Sequence, residues 1–290
     1  MIILLTSIFC SISVSILLRQ ARHYELDIAQ AIAVNYGVAT VLCLVLLKPH
    51  PTALLAPSAS WIVLLGLGAL LPSIFLVMAA AVQQAGIVRS DAAQRLSLLI
   101  PLLAAFVFFG EPLSAVKAGG IVTALIALVL LLTRPGVQQA ETGVATGSSA
   151  SPWTGALLLA GVWAGYGTID ILFKQLAREA LDFSSSLLVA FILAGVLMTG
   201  WLWAHKARWQ RRNLVAGVLL GLLNFGNIYF YIRAHQQFPD NPALVFSAMN
   251  IGVIAGASLI GGGLFKERLS ALNILGIVLA IMAIVLLIPR

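Results

Sequence analysis

The sequence predicts an all-α membrane protein with ten transmembrane helices arranged as two inverted five-helix repeats. Three observations predict this fold: charged residues are rare, long apolar stretches separate them, and the chain contains an internal repeat. Of the 290 residues only 9% are charged and 61% are hydrophobic, whereas about a quarter of the residues in an average soluble domain are charged. This composition excludes a soluble enzyme, a nucleic-acid-binding protein and a secreted disulfide scaffold.

The predicted spans follow one another with short turns between them. The first is expected to be an uncleaved helix rather than a signal peptide, because no basic residue precedes it and no small-residue cleavage site follows it. His50, Pro51 and Pro57 break one long charge-free run, so that only its later part forms a span. A helix crosses a bilayer with roughly 20 residues, and the ten predicted spans are 2–18, 28–47, 61–83, 88–109, 114–133, 153–175, 183–205, 214–236, 241–264 and 271–288.

The chain repeats itself around a polar linker. Residues 134–152, rich in Gly, Ser and Thr, separate two five-span halves at 1–133 and 153–290. Residues 109–131 align with residues 265–287 at an offset of 156, with 13 of 23 positions identical. Because five spans is an odd number, the second half enters the membrane from the opposite side. Inverted repeats of this kind are typical of secondary transporters that alternate access around a site near the midplane.

Each half contains a short turn before its last span, Gly-Glu-Pro-Leu-Ser at 110–114 and Lys-Glu-Arg-Leu-Ser at 266–270. With these turns and its two five-helix repeats, the chain resembles the EamA-like branch of the drug/metabolite transporter superfamily. The resemblance covers essentially the whole chain and implies a transporter without naming its substrate. The chain departs from the family pattern at residues 9–11, where Phe-Cys-Ser replaces the common Trp-Gly pair, and in the loop after the second span, which is not basic.

The positive charges indicate how the protein is oriented in the membrane and do not indicate that it binds nucleic acid. The net charge of +7 comes from Lys and Arg in short loops at helix ends, where such residues orient membrane proteins. The resemblance implies cytoplasmic termini, but the loops after the odd-numbered spans are the more basic ones, which favours external termini. The sidedness therefore stays open, and the expected location is the bacterial inner membrane. The expected partners are the lipid bilayer and a small-molecule substrate, and packing surfaces on spans 5 and 10 would permit a homodimer.

Charges inside a span are functional candidates, because a charge at the bilayer centre costs about 2.5–3.5 kcal/mol on insertion scales. Asp170 in the sixth span has no charged counterpart in the other repeat, so it is a candidate for proton coupling and substrate binding. The alternative is an ion pair with Lys174, itself expected to be a snorkelling charge at the helix end. Asp91 and Arg95 share one face of the fourth span. They form either an intrahelical ion pair near the headgroups or one wall of a central cavity. In the second interpretation Asp91 is a further proton-coupling carboxylate and Arg95 binds an anionic group.

Polar and aromatic side chains on five of the predicted spans complete a predicted substrate cavity. Each buried amide alone is as readily explained by helix packing, but together they indicate a polar cavity in which aromatic rings could bind cations. The predicted substrate-binding residues are Asn35, Tyr36, Asp91, Gln94, Arg95, Trp163, Tyr166, Asp170, Asn224, Asn227, Tyr231 and Asn250. No metal or cofactor site is expected, because Cys10 and Cys43 lie apart in apolar helices without a CxxC motif.

Local features predict how the helices pack. Three glycine spacings permit close helix approach: Gly161-x3-Gly165, Gly217-x3-Gly221 and Gly252-x3-Gly256. Pro72 and Pro101 are expected to kink the third and fourth spans. Glu111 and Glu267, which match in the repeat, are interpreted as structural carboxylates near helix N-termini.

These features predict a secondary active transporter that exports a small polar or amphipathic metabolite or drug in exchange for protons. Direct ATP drive is not expected, since no nucleotide-binding motif is present. One alternative is a flippase for a lipid-linked intermediate, with an apolar lateral opening and only the head group contacting Arg95. A remote alternative is an intramembrane enzyme, which the scattered positions of the four His residues disfavour.

Overall fold

The computed structural model describes residues 2–24, 26–49, 61–132, 152–178, 183–264 and 271–288, and over these ranges the chain forms helices and no strand, as predicted. A π-helical turn, Cys43–Leu47, extends the second helix. The helices are α1 (Ile2–His23), α2 (Ile28–Leu42), α3 (Trp61–Ala85), α4 (Ile87–Leu96), α5 (Leu99–Val107), α6 (Ala115–Leu132), α7 (Pro152–Arg178), α8 (Phe183–Ala204), α9 (Arg211–Gln237), α10 (Pro242–Leu264) and α11 (Ala271–Leu287).

Seven segments in the described part of the chain are long and apolar enough to cross a bilayer, and the protein is therefore a multi-pass integral membrane protein. The predicted first, fifth and tenth spans are apolar but shorter, with 10–17 residues in their apolar parts, near or below the lower limit of roughly 17 residues for a span. Seven of the ten predicted spans thus reach spanning length by themselves. They are Ile28–Leu47, Trp61–Ala85, Arg89–Val107, Trp153–Arg178, Phe183–Ala204, Arg211–Gln237 and Pro242–Ile260.

The predicted fourth span is broken into α4 and α5. Pro101 has no N–H and cannot make the α-helical bond to the carbonyl of Ser97. That carbonyl accepts from the N–H of Ile100 at 3.0 Å instead, which tightens the turn. The predicted kink at Pro101 is confirmed, whereas α3 continues as a helix through Pro72.

The chain divides into two compact units that do not coincide with the predicted halves. Unit 1 contains Met1–Leu76 and Ile169–Pro239, and unit 2 contains Val77–Thr168 and Asp240–Arg290. Each unit takes residues from both halves of the sequence, and α3 and α7 supply residues to both units. The boundaries of the compact units therefore differ from those of the two halves predicted from the sequence.

In unit 1, α9 packs closely along α2. A Cβ added at Gly217 would lie 2.6 Å from the Cβ of Val34, and one at Gly221 would lie 2.6 Å from the Cβ of Val38. Both distances are too short for real Cβ contacts, so the two backbones approach more closely than any side chain would allow. The predicted close approach at this spacing is confirmed. α1 also packs on α9, and α8 packs on α2.

In unit 2, α6 and α11 pack in antiparallel orientation. A Cβ at Gly120, near the start of α6, would lie 3.0 Å from the Cγ of Leu287 at the end of α11. Conversely, a Cβ at Gly276, near the start of α11, would lie 2.9 Å from the Cγ of Leu131 at the end of α6. The contacts are reciprocal, because each residue of one contact is 156 positions from its counterpart in the other. α10 packs on α5, α6 and α11.

Glu111 links the loop before α6 to the start of α10. Its side chain is buried, and its Oε2 accepts from the N–H of Ala243 at 2.9 Å. Its Oε1 accepts from Nζ of Lys117 at 2.9 Å. The first N–H groups of a helix lack intrahelical partners and attract negative charge, so the carboxylate caps α10 rather than the helix that follows it in sequence. Glu267, its repeat counterpart, lies outside the described residues.

Candidate functional site

The predicted site residues are divided between the two units. Unit 2 contains Asp91, Gln94, Arg95, Trp163, Tyr166 and Asn250, and unit 1 contains Asn35, Tyr36, Asp170, Asn224, Asn227 and Tyr231. Each set is described within its own unit below.

In unit 1, Asn224, Asn227, Tyr231 and His235 form a polar stripe along α9. Their spacing of three or four residues places them on one face of the helix. The first three make hydrogen bonds to three different helices: α2, α1 and α7. The stripe runs from the middle of α9 almost to its end at Gln237.

The two asparagines of this stripe connect neighbouring helices. Nδ2 of Asn224 donates to Oδ1 of Asn35 on α2 at 3.1 Å. Oγ of Ser7 on α1 donates to the main-chain carbonyl of Asn227 at 2.9 Å and lies 3.2 Å from its Oδ1. These contacts match the packing interpretation of the amides. Nδ2 of the fully buried Asn35 has no hydrogen-bond partner within the described ranges. The sequence does not predict the role of Ser7, because nothing distinguishes it among the serines of α1.

Asp170 and Tyr231 join α7 to α9. The hydroxyl of Tyr231 donates to Oδ1 of Asp170 at 2.9 Å. Tyr231 is buried, and its ring meets that of Phe173 edge-on at 6.0 Å between centroids. Asp170 lies eight residues before the end of α7 at Arg178, which corresponds to about 12 Å along the helix. The predicted coupling carboxylate therefore lies well inside a membrane-spanning segment, with a phenol hydroxyl as one partner.

Lys174 lies one turn beyond Asp170 on α7 and is buried, with 1% of its surface exposed. Its Nζ donates to the main-chain carbonyl of Pro239 at 2.8 Å. The prediction of a snorkelling helix-end charge is wrong. The reason is the helix length, since α7 continues past the predicted end at residue 175 as far as Arg178.

His235 is the second buried group that the sequence does not predict. It is 1% exposed, and its ring lies edge-on to that of Tyr231 at 4.8 Å between centroids. We name Asp170, Lys174, Tyr231 and His235 the α7–α9 cluster. The i, i+4 spacing of Asp170 and Lys174 was a signal for it, but burial of His235 depends on helices that are distant in sequence.

Tyr36 takes part in aromatic packing within unit 1. The residue is buried, and its ring lies 6.5 Å from that of Phe191 on α8. Phe191 in turn lies 6.3 Å from the ring of Phe225 on α9. The predicted ligand role of Tyr36 stays a prediction, and its observed contacts are those of a core residue.

In unit 2, Asp91 and Arg95 face each other on α4. Nε of Arg95 lies 3.5 Å from Oδ1 of Asp91, and the two side chains are 18% and 38% exposed, respectively. This is the geometry of the intrahelical pair. The phenol of Tyr166 on α7 lies close enough to both charges to interact with them electrostatically. Gln94, between them in sequence, is partly buried.

Trp163 and Asn250 bind main-chain carbonyls in unit 2. Nε1 of Trp163 donates to the carbonyl of Leu96 at 3.1 Å, at the break between α4 and α5. Carbonyls at a helix end lack intrahelical partners, so the break provides an acceptor for the indole. Nδ2 of Asn250 donates to the carbonyl of Phe246 in its own helix at 3.1 Å. Trp163 remains 40% exposed and therefore keeps a free ring surface.

The chemistry available in the α7–α9 cluster is proton binding and charge pairing. A carboxylate, an imidazole, a phenol and an ammonium lie within two turns of helix, in helices that span the membrane. Within the described ranges no group of three or more His, Cys, Asp or Glu side chains is arranged to bind a metal ion.

An uncharacterized protein of Haemophilus influenzae is 48% identical to this chain over 286 residues, which cover 97% of this chain and 95% of the relative. The chain belongs to the family of that protein. No family model matches the sequence. A crystal structure of a protein with 14% identity superposes with a TM-score of 0.71, over 98% of this chain and 94% of the other. At that level of identity, the similarity shows that the family shares its fold with a solved structure.

Proposed function

We propose that the protein is a secondary active transporter that exports a small polar or amphipathic metabolite or drug in exchange for protons. The observation that carries the proposal is the contact between Asp170 and Tyr231, a carboxylate and a hydroxyl on two membrane-spanning helices. Ionisable residues are costly inside a membrane, and those that occur there serve proton relays and substrate paths.

The proposed architecture has ten spans in two inverted repeats of the EamA-like kind. The reciprocal contacts of Gly120 with Leu287 and of Gly276 with Leu131 support it, because an inverted repeat pairs equivalent helices in antiparallel orientation. The Haemophilus influenzae relative is bacterial, which supports a location in the bacterial inner membrane. In this proposal the three shorter apolar helices also cross the bilayer.

The coupling mechanism follows from the contact between α7 and α9. A hydrogen bond to an ionised carboxylate is stronger than one to a neutral acid. Proton binding at Asp170 therefore weakens its bond with the Tyr231 hydroxyl, and proton release strengthens it. The proton thus changes the free energy of a contact between two spanning helices, which is the kind of change that alternating access requires.

Substrate binding is assigned in this proposal to the polar and aromatic groups of unit 2. In unit 2, Arg95 and Asp91 offer opposite charges beside the aromatic rings of Trp163 and Tyr166. Such a set suits a molecule that carries both polar groups and an apolar or aromatic part.

A ligand screen tests the proposal. The thermal stability of the purified protein would be measured with amino acids, nucleosides, sugars, organic cations and lipid head groups at two pH values. We expect one class to stabilise the wild type in proportion to its concentration, with the effect lost in Asp170→Asn or Arg95→Ala. In vesicles with a pH gradient, exchange of that compound should depend on pH in the wild type. The same pH dependence in Asp170→Asn would contradict the coupling role.

A lipid flippase is the second candidate, and one observation favours it. An open groove of about 550 Å³ lies between α2 and α8, with small residues along its length and Trp203 at one end. Both helices span the membrane, so the groove could admit an acyl or polyisoprenoid chain. Copurified polyisoprenoid lipid, together with no stabilisation by any soluble compound, would favour this function over metabolite export.

A further inference from the structure

The groove between α2 and α8 in unit 1 is open and lined mainly by apolar and small residues, among them Gly37 and Gly200. A Cβ at either glycine would have no atom within 4 Å, so the space beside both is empty of protein. Because both helices span the membrane, hydrocarbon chains are the molecules available to fill this space.

The two helices run antiparallel, which fixes the direction of the groove. Sγ of Cys43 donates to the carbonyl of Ser184 at 3.4 Å. Further along α8, a Cβ at Gly195 would lie 3.4 Å from the Cβ of Tyr36. Since α2 is followed backwards as α8 is followed forwards, the end of the groove at Trp203 lies toward the start of α2.

The length of the groove matches one leaflet of a bilayer. It extends along α8 from Phe191 to Trp203, which corresponds to about 18 Å. The hydrocarbon core of a bilayer is about 30 Å thick, so one leaflet contributes about half of that. Trp203 is 86% exposed, and tryptophan is enriched at the level of the head groups. A lipid in the groove would therefore have its head group beside Trp203.

A basic segment, residues 205–213, follows α8 at this end. It contains no carboxylate and four cations, all exposed: Lys206, Arg208, Arg211 and Arg212. Residues 19–27, at the end of α1 and the start of α2, add two arginines and the carboxylates Glu25 and Asp27, of which Glu25 lies outside the described residues. With six cations against two carboxylates, these two segments keep a net positive charge.

Gln30, in the first turn of α2, holds the basic segment beside the groove. Its side chain is 2% exposed, and its Nε2 donates to the carbonyl of Arg208 at 2.9 Å. Its Oε1 accepts from the N–H of Gln210 at 3.2 Å and from Nδ2 of Asn213 at 3.0 Å. The main chain of the basic segment is thus fixed next to α2 before any ligand binds, which lowers the entropic cost of binding one.

We propose that the groove and the basic segment together bind an anionic phospholipid of the surrounding bilayer. Its acyl chain lies between α2 and α8, and its phosphate binds the cations of the basic segment through charge-assisted hydrogen bonds. A zwitterionic phospholipid fits less well, because its head group carries a cation of its own. The lipid is a bound ligand and not a transported molecule, so this inference goes beyond the proposed function and does not depend on it.

Native mass spectrometry of the delipidated protein in detergent tests the inference. The protein would be titrated with phosphatidylglycerol and with phosphatidylcholine of the same acyl chains. Each Lys or Arg near an anionic lipid strengthens binding by about five-fold. We therefore expect one phosphatidylglycerol to bind at least about ten-fold more tightly than phosphatidylcholine. Equal affinity for the two lipids would overturn the inference.

Removal of charge tests the head-group site. Lys206→Gln with Arg208→Gln should reduce the affinity for phosphatidylglycerol to that for phosphatidylcholine. The matched control is Lys48→Gln with Arg233→Gln, which removes two exposed cations near the ends of α2 and α9, away from the basic segment. A preference that survives the first pair of substitutions, or that is lost equally with the second pair, would overturn the head-group site.

Filling the groove tests the chain site. Gly200→Leu, or Gly37→Leu if the first variant does not fold, should weaken binding of both phospholipids by about ten-fold or more, since each methylene kept out of the groove costs about four-fold in affinity. Gly119→Leu in unit 2 is the control, because a Cβ there also has no atom within 4 Å. Binding equal to that of the wild type in the groove variants would overturn the chain site.

Two further ligands separate this site from other occupants. Glycerol 3-phosphate has a phosphate but no acyl chain, and we expect it to bind far more weakly than phosphatidylglycerol. Equally tight binding would show that the groove contributes nothing and would overturn the inference. A copurified polyisoprenoid lipid that phosphatidylglycerol fails to displace would also overturn it, and would favour the flippase.

Discussion

The hydrogen bond from Tyr231 to Asp170 can be tested by removing a single oxygen atom. Tyr231→Phe deletes the hydroxyl, which donates at 2.9 Å, and keeps the ring contact with Phe173. We expect unfolding free energy in detergent to fall by about 1 kcal/mol, the upper part of the range for hydrogen bonds between membrane helices.

Tyr229→Phe is the control for this change. Tyr229 lies on the same helix, and its ring contacts the rings of Phe183, Phe225 and Phe230 and the guanidinium of Arg233. Its variant should unfold like the wild type, because the ring is retained. Equal stability of the two variants would show that the Tyr231 hydroxyl contributes nothing measurable.

At the residue scale the sequence singles out Asp170 as a functional candidate but does not predict which residues surround it. A carboxylate without a counterpart in the repeat is recognisable from the letters alone. Burial of Lys174 and His235 cannot be recognised from the sequence, because it depends on where α7 and α9 end and on which helices cover those ends. Ser7 shows the same limit, since its partner Asn227 is 220 positions away.

At the scale of elements, the packing of α2 on α9 depends on glycine. Gly221→Ala would place a Cβ 2.6 Å from the Cβ of Val38 and 3.0 Å from the carbonyl of Asn35. Neither neighbour is the end of a flexible side chain, so the helices must separate. We expect a loss of about 1–3 kcal/mol, as for other overpacked sites, measured by thermal or denaturant unfolding in detergent.

Gly200→Ala in α8 is the matched control. No atom lies within 4 Å of a Cβ at that position, and alanine is the better helix former by up to about 1 kcal/mol. This variant should be as stable as the wild type or more so. If Gly221→Ala were as stable as Gly200→Ala, the close approach of α2 and α9 at Gly221 would be contradicted.

The cap of α10 gives a second prediction at this scale. Glu111→Ala removes the acceptor for the N–H of Ala243 and leaves the largely buried ammonium of Lys117 without its carboxylate. Breaking a buried pair on one side costs about 3–5 kcal/mol, and we expect a loss of this order in unfolding experiments. In Glu111→Ala with Lys117→Met the loss should be smaller; an equal or larger loss would contradict the pairing.

The helices themselves could be largely predicted from the positions of charges and prolines. Charge-free runs locate most of the helices, because charges are costly inside a bilayer and are therefore rare in membrane segments. The break before Pro101 is predictable because proline cannot donate a main-chain hydrogen bond. The use of Glu111 to cap α10 is not, because the two segments are 132 positions apart.

At the scale of the whole molecule, the reciprocal contacts of α6 and α11 predict two disulfides. A Cβ at Gly120 would lie 3.3 Å from the Cβ of Leu286, and one at Gly276 would lie 3.2 Å from the Cβ of Leu130. Disulfides span Cβ separations of roughly 3.5–4.5 Å, so small adjustments suffice. We expect Gly120→Cys with Leu286→Cys, and Leu130→Cys with Gly276→Cys, to cross-link on oxidation in a background without Cys10 and Cys43.

Mass spectrometry of oxidised samples would identify both cross-links. Gly119→Cys with Leu286→Cys is the control, because no atom lies within 4 Å of a Cβ at Gly119. Cross-linking of one reciprocal pair but not the other would contradict the equivalence of α6 and α11. The repeat proposed from the sequence would then lack its structural counterpart.

The sequence by itself determined that this protein is helical and membrane-embedded, since composition and charge spacing already exclude a water-soluble globule. It also predicts a repeat, because identity between residues at a fixed offset can be found without a structure. Only the tertiary structure decided which residues meet: Asn224 with Asn35, Tyr231 with Asp170, and Lys174 in the protein interior. The physical reason is that helix formation depends on neighbours in sequence, whereas burial and hydrogen bonding of side chains depend on neighbours in space.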